Sequence, residues 1–357
     1  MKRLATLASA AILVLACALA LCACSGTSGK DQKEATYTSG TVASVNGTLY
    51  YAGFGYVPST KAEIEGATKI PVETSDFLIC QDKVYYAGVP AGTGGDSPVD
   101  LHCCKLDGSE DTVLSKDLAP QSRFYVVDGC LVYEHYDENM ADPDNSWDKN
   151  SDYWVKLDLG TKGASPVPLS EKKDVQVIAA SSSKLYYVKA EPTDFGARNA
   201  YCASLDLSDE VKVYKGGVSS HMCSVDHEGR LLIADDRGRY VTTYDADLNK
   251  LAVFKTGYDS VADTMTSLQV DQFGVFVTNP EDEVTRFDVT TGETTSYKVE
   301  KGSPYYLDVQ YADDTQIIYI SAIVSDDDSD PSADNTVLYR QNWDGSNFKT
   351  CGTWFES

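Results

Sequence analysis

Two runs of aspartate have a spacing that could hold a hard cation. Asp142, Asp144, Asp148 and Asp152 alternate with Ser146 and Asn150 around Trp147, and Asp326, Asp327, Asp328, Asp330 and Asp334 crowd a second stretch. Oxygen ligands at alternate positions can wrap Ca²⁺. Asp142, Asp144, Asp148, Asp326 and Asp328 are therefore the candidate calcium ligands. Against this, Trp147 stands where a tight calcium loop needs glycine, and no glutamate follows to complete the shell. The competing reading is a solvated charge run that needs no cofactor. Tyr56, Trp147, Tyr153 and Phe195 are candidate ligand-binding aromatics, able to stack on a sugar or peptide, although single exposed aromatics also occur without a role.

Catalytic chemistry has less to stand on. His102, His135, His221 and His227 are the four histidines, and none sits in HExxH. No GxSxG or P-loop pattern occurs, and His221-x-Cys223 has no visible partner. Paired carboxylates far apart in the chain cannot be recognised from spacing, so no catalytic residue is assigned.

The first residues read as an address. Lys2-Arg3 precede an apolar stretch, Leu4 to Ala23, the shape of a secretory signal. The stretch ends in Leu21-Cys22-Ala23-Cys24, which resembles a bacterial lipobox with Cys24 as the lipidated residue. Residues 1–23 are then the lipoprotein signal peptide, 24–40 the lipidated cysteine and a flexible polar linker, and 41–357 the folded part. The acyl chains would tether that part to the outside of a bacterial cell membrane. The processed chain keeps 28 basic and 54 acidic residues, a net charge of −26. Phosphate would be repelled by such a surface, so nucleic acid is not an expected partner. Cys80, Cys103, Cys104, Cys130, Cys202, Cys223 and Cys351 remain, an odd number without a CxxC pair. Buried small hydrophobes in strands is the plain reading of them.

The elements that must position these residues announce themselves by repetition. At an interval of roughly 45 residues, a strand-like run rich in Tyr and branched residues recurs. Its centres are Leu49–Tyr51, Val84–Tyr86, Leu131–Tyr133, Leu185–Tyr187, Leu231–Ile233, Val275–Val277 and Ile317–Tyr319. A second run follows each, ending in a bulky apolar residue and an acid: Ile64-Glu65, Leu106-Asp107, Leu157-Asp158, Leu205-Asp206, Tyr244-Asp245, Phe287-Asp288 and Trp343-Asp344. The acid should accept backbone N–H bonds in its turn, and the bulky residue should pack between modules. Asn46-Gly47, Asp128-Gly129 and Glu228-Gly229 mark tight hairpins between the first two strands of a module. The first module parses as strands at 41–45, 48–54, 61–64 and 68–72, and the last as 305–311, 315–324, 337–342 and 347–350. The pattern predicts an all-β, seven-bladed β-propeller with four antiparallel strands per blade. Residues 35–39 are an expected latch onto the last blade.

Leu338-Tyr339-Arg340 with Trp343-Asp344-Gly345-Ser346-Asn347, Leu106-Asp107-Gly108-Ser109, and the Tyr-Tyr strands resemble bacterial TolB-like and low-density-lipoprotein-receptor-like β-propeller lipoproteins. The resemblance spans about residues 41–354. It implies an extracytoplasmic binding or scaffolding module with no catalytic residues to carry over.

Length variation concentrates in the connections between second and third strands, near 54–60, 89–100, 137–152, 190–199, 235–239, 279–283 and 325–335. These emerge on one side and form the expected binding face. The expected function is a lipid-anchored, non-catalytic binding or scaffolding module for a protein, peptide or glycan. The alternative is a propeller hydrolase or lyase acting on envelope or extracellular glycans, with carboxylates at the channel.

Overall fold

The computed structural model describes residues 36–37, 42–54, 63–74, 76–88, 98–120, 122–137, 152–171, 175–189, 199–258, 267–279, 283–299, 307–322 and 336–353. Every regular element among them is a strand. After β1 (Thr36–Tyr37), a three-stranded sheet holds β2 (Val42–Val45), β3 (Thr48–Phe54) and β4 (Thr68–Thr74). Next come β5 (Phe77–Cys80), β6 (Lys83–Ala87), β7 (Val99–Lys105) and β8 (Thr112–Leu118), then β9 (Phe124–Val127), β10 (Cys130–Tyr136), β11 (Asp152–Asp158) and β12 (Val167–Pro168). Four four-stranded sheets follow. They are β13 (Val175–Ala180) to β16 (Val211–Tyr214) through β14 (Leu185–Lys189) and β15 (Ala200–Ala203), and β17 (Val218–Val225) to β20 (Lys250–Lys255) through β18 (Leu231–Asp235) and β19 (Tyr240–Tyr244). The last two are β21 (Ser267–Asp271), β22 (Gly274–Asn279), β23 (Glu283–Phe287) and β24 (Thr294–Lys298), then β25 (Leu307–Ala312), β26 (Gln316–Ala322), β27 (Thr336–Asn342) and β28 (Lys349–Thr353).

Polarity tells each strand where to lie. In β14 the first four residues are all buried, as expected for a strand covered on both faces, whereas β16 and β24 are largely exposed and form outer edges. The first strands touch in the sequence β9, β13, β17, β21, β25, β2, β5, so they line an axis and the sheets radiate from it. This is an all-β β-propeller.

The expected ring of seven separate four-stranded blades needs correction. Among the described residues five sheets stand as discrete blades of three or four strands, and β1 and β5–β12 form one continuous nine-stranded sheet. The cause is local. β9 is short and covers only Cys130–Tyr133 of β10. The uncovered end of β10 pairs His135 with Leu118 of β8, and Ala119 N–H donates to Glu134 C=O at 2.9 Å. An open edge offers unpaired backbone groups, and here the neighbouring strand takes them.

Two further expectations fail. Glu63 and Ile64 form no third strand in the first sheet; β4 pairs with β3 directly and in parallel. The Glu63 N–H goes instead to the Cys351 carbonyl of β28, at 2.7 Å. β1 joins β5, with Thr36 opposite Ile79, rather than the last sheet. Closure is made by the Glu63 bond, by Arg340 Nη1 donating to the Glu65 carbonyl at 2.6 Å, and by a Lys349–Glu65 ion pair.

Hydrophobic clusters fill the spaces between successive sheets, and one joins the two arms of the nine-stranded sheet. The bulky residues of the second motif sit in them. Ile64, Leu157, Tyr244, Phe287 and Trp343 are cluster members, and Leu106 and Leu205 pack against their edges.

Candidate functional site

The axis is where polar groups from different sheets meet. In the last two blades, Gln269 of β21 donates through Nε2 to the Val309 carbonyl at 2.6 Å and accepts the Val309 N–H at 2.8 Å. The same Nε2 donates to Asp271 Oδ2 at 2.7 Å. Asp271 is 2% exposed, and burial raises its carboxyl to about 7, with Asp308 adding repulsion. Asp308 of β25 is raised to about 6 by burial, with Asp76 adding repulsion. On the other side, Arg123 Nη1 reaches from the start of β9 to the Cys223 carbonyl of β17 at 3.2 Å.

One end of this axis opens into a cavity of about 730 Å³. Its wall comes from turns between first and second strands: Asn46, then Ser181–Lys184, then Asp226–Gly229, then Gln272. Leu78, Tyr125 and Tyr186, all buried, back the wall from the core side. These turns are tight, so they bring short side chains to the axis without blocking it. Asn46 and Asp128 adopt positive φ beside glycines, the conformation that two-residue hairpins need. Asp226 shapes its own turn: Oδ1 accepts the N–H groups of Glu228 and Arg230, and Oδ2 accepts Arg230 Nε at 2.6 Å.

The charged groups of the wall are satisfied within the protein. Lys184 pairs with Asp209, Glu228 with Arg230 at 2.9 Å, and His227 lies 3.9 Å from Glu228. Gln272 differs. It is 8% exposed, and its buried Nε2 meets no acceptor among the described residues. The cavity wall thus carries serine side chains and the Asn46 side chain, with charged groups already paired.

Of the candidate lipidation, ligand-binding and calcium residues, Tyr153 is described. It lies on β11 opposite His135 of β10, the rings edge to face at 5.2 Å, with its hydroxyl pKa raised mainly by burial. Cys24, Tyr56, Trp147, Phe195, Asp142, Asp144, Asp148, Asp326 and Asp328 lie outside the described residues. So does most of the expected binding face; the connection 235–239 is described, together with end residues of most of the others. Among the described residues no group of three His, Cys, Asp or Glu side chains could hold a metal ion. Among the described residues no cysteine forms a disulfide, and Cys103 and Cys202 are buried in equivalent positions.

The acids of the second motif are structural. Asp107, Asp158, Asp206, Asp245, Asp288 and Asp344 each accept an N–H two residues on. Sequence reasoning missed Asp271, Asp308 and Gln272. The available signal was that first-strand turns all emerge on one side, which places Gln272 beside Asn46 and Ser182 once the ring closes.

No family model and no curated protein matches this chain. Among solved structures it is similar to Kluyveromyces lactis Hsv2, with 12% identity and a TM-score of 0.40 over 77% of this chain and 93% of that one. The β-propeller domain of the Trilobed protease from Pyrococcus furiosus shows 13% identity and a TM-score of 0.42, over 65% of this chain and 70% of that one. TolB from Acinetobacter baumannii shows 12% identity and a TM-score of 0.39, over 80% of this chain and 78% of that one. Likenesses this distant bring neither a site nor a ligand to this chain, whose propeller architecture rests on its own strand order.

Proposed function

We propose that this chain is a lipid-anchored, extracytoplasmic β-propeller that serves as a non-catalytic binding or scaffolding module. The supporting observation is the axial cavity of about 730 Å³, whose charged wall residues are already paired within the protein. Such a wall can hold a ligand by hydrogen bonds but offers no free acid–base pair. The Leu21-Cys22-Ala23-Cys24 sequence supports the anchor, with Cys24 taking the lipid. The long connections between second and third strands are the proposed face for a larger partner, and Trp147, Tyr153, Tyr56 and Phe195 are its proposed contacts. Calcium held by Asp142, Asp144, Asp148, Asp326 and Asp328 remains an auxiliary proposal for that face. Crosslinking on intact cells followed by pull-down tests the module. A partner captured by the wild-type chain should be lost on trimming residues 137–152 and 325–335; undiminished capture refutes the loop face. Cys24→Ser should release the chain from the membrane fraction.

A propeller hydrolase or lyase is the second reading, favoured by one observation: Asp271 and Asp308 stand on adjacent inner strands with carboxyls displaced toward neutrality. Turnover of an envelope glycan, abolished in Asp308→Asn, would establish it; equal turnover in the variant would remove it.

A further inference from the structure

We propose that the outer edge of the β17–β20 blade docks an extended acidic segment of a partner protein, which adds to β20 as a fifth strand. Misplaced apolar surface is the leading observation. Six large hydrophobic side chains are exposed among the described residues, and four of them, Val211, Tyr240, Leu251 and Val253, belong to β16, β19 and β20 of two neighbouring blades. Register places three of these at one seam. Tyr240 stands opposite Lys255 and Val253 opposite Thr242, so Tyr240 and Val253 share a face with Tyr244. Tyr244 packs in the cluster between the two blades, and its hydroxyl donates to the Val213 carbonyl of β16 at 3.1 Å. Val211 stands opposite Cys202, a member of the same cluster. Leu251 is the extra residue of a bulge at the start of β20.

The edge itself is open. β20 ends its sheet, and among the described residues no strand pairs with its far side. Unpaired N–H and C=O groups on such an edge are a template for another strand, so proteins guard edges with polar residues, charge or proline. Two other outer strands do so: β24 reads Thr-Thr-Ser-Tyr-Lys, and β12 is Val-Pro. β20 reads Lys-Leu-Ala-Val-Phe-Lys, with exposed Leu251 and Val253 at its middle. Phe254 holds the strand from behind, its ring stacked on Phe287 of the next blade at 5.1 Å. Charge selects the occupant. Lys250 and Lys255 are exposed at the two ends of β20, and exposed Lys215 follows β16. Neither 211–223 nor 248–258 contains an acid, in a chain with 54 acidic and 30 basic residues. None of these three lysines forms an ion pair among the described residues. A second copy pairing β20 with β20 in the antiparallel sense would set Lys250 against Lys255, a like-charge contact that disfavours it. An acidic strand answers both lysines, completes the backbone ladder and lays alternate apolar side chains on Val253 and Tyr240.

The test is titration of the full chain, followed by fluorescence anisotropy, with a labelled and capped peptide that alternates valine with glutamate. Controls are the same peptide with lysine in place of glutamate, and the acidic peptide N-methylated at alternate residues. The acidic peptide should bind saturably and more weakly as salt rises. The double variant Lys250→Glu with Lys255→Glu should weaken it about tenfold, and Val253→Asp should act in the same direction. The N-methylated peptide should not bind, because it cannot complete the ladder. All three substituted side chains are exposed, so the variants should melt at the wild-type temperature. Hydrogen exchange on the wild type needs no variant: bound acidic peptide should slow the amides of 250–255. Absence of saturable binding overturns the proposal, as does equal affinity for the lysine peptide or undiminished binding by the double variant. A dimer in sedimentation that Val253→Asp abolishes would give the edge to a second copy and overturn it too. So would binding to phosphatidylglycerol vesicles without binding to the peptide. Trimming residues 137–152 and 325–335 should leave peptide binding unchanged, so this edge and the loop face stand or fall separately.

Discussion

Asp271 couples the interior of the ring to pH. Its carboxyl is raised to about 7 by burial, whereas an unfolded aspartate titrates near ~3.9. Between these values the folded chain holds a proton that the unfolded chain has lost, so this contribution to stability falls as pH rises through the window and levels off above about 7. Asp308 acts in the same direction with a folded value of about 6. Urea unfolding at a series of pH values should show the wild type losing about 2–4 kcal/mol relative to Asp271→Asn between mildly acidic and neutral pH. The second-motif acids have the opposite sign. Hydroxyl and backbone N–H donors hold Asp107, Asp206 and Asp344 below the usual range, so their contribution is present above ~4 and lost on acidification. Asp226 is buried and bonded to two backbone N–H groups and to Arg230. Asp226→Ala should cost about 2–4 kcal/mol in the same unfolding assay, because it strands those donors.

At the scale of elements, the hairpins carry most of what can be read in advance. An acid after a bulky apolar residue specifies both a turn and a wedge, because a short carboxylate caps backbone N–H groups while its neighbour faces inward. Trp343 shows both contacts: its ring lies 4.3 Å from Tyr297 in the preceding sheet, and its Nε1 donates to the Asp313 carbonyl at 2.7 Å. Gly108 is tied to this geometry twice over. Its φ is +77°, and a Cβ there would stand 2.5 Å from Pro71 Cγ of β4. Strand partnership is less legible, since pairing depends on which edges remain free. The length of β9 decides that β8 and β10 meet, and no residue type in β8 announces it. Ala119→Pro removes the N–H that bonds Glu134. It should lower stability by about 1–3 kcal/mol, with hydrogen-exchange protection lost first around Glu134–Tyr136.

For the whole molecule, the seam between first and last sheets is the joint on which the ring depends. Ile318 and Ile320 are fully buried there against Val42, Leu49 and Tyr51. Ile318→Ala should cost about 2–5 kcal/mol, measured as a shift in the urea midpoint. The formal net charge of −24 adds a general repulsion. Raising salt should therefore raise the melting temperature modestly by screening.

The sequence by itself determined the strand composition, the position of most strands, the turn chemistry of the repeated acids and the inward set of their bulky neighbours. Each of these depends on a few adjacent residues, whose preferences act before any distant contact forms. Only the tertiary structure decided how strands divide into sheets, that Glu63 bonds Cys351 across the seam, and that Gln272, Ser182 and Asn46 surround one cavity. Those outcomes depend on which backbone edges and which turns arrive at the same place once the ring is closed, and residues more than two hundred positions apart carry no local mark of that meeting.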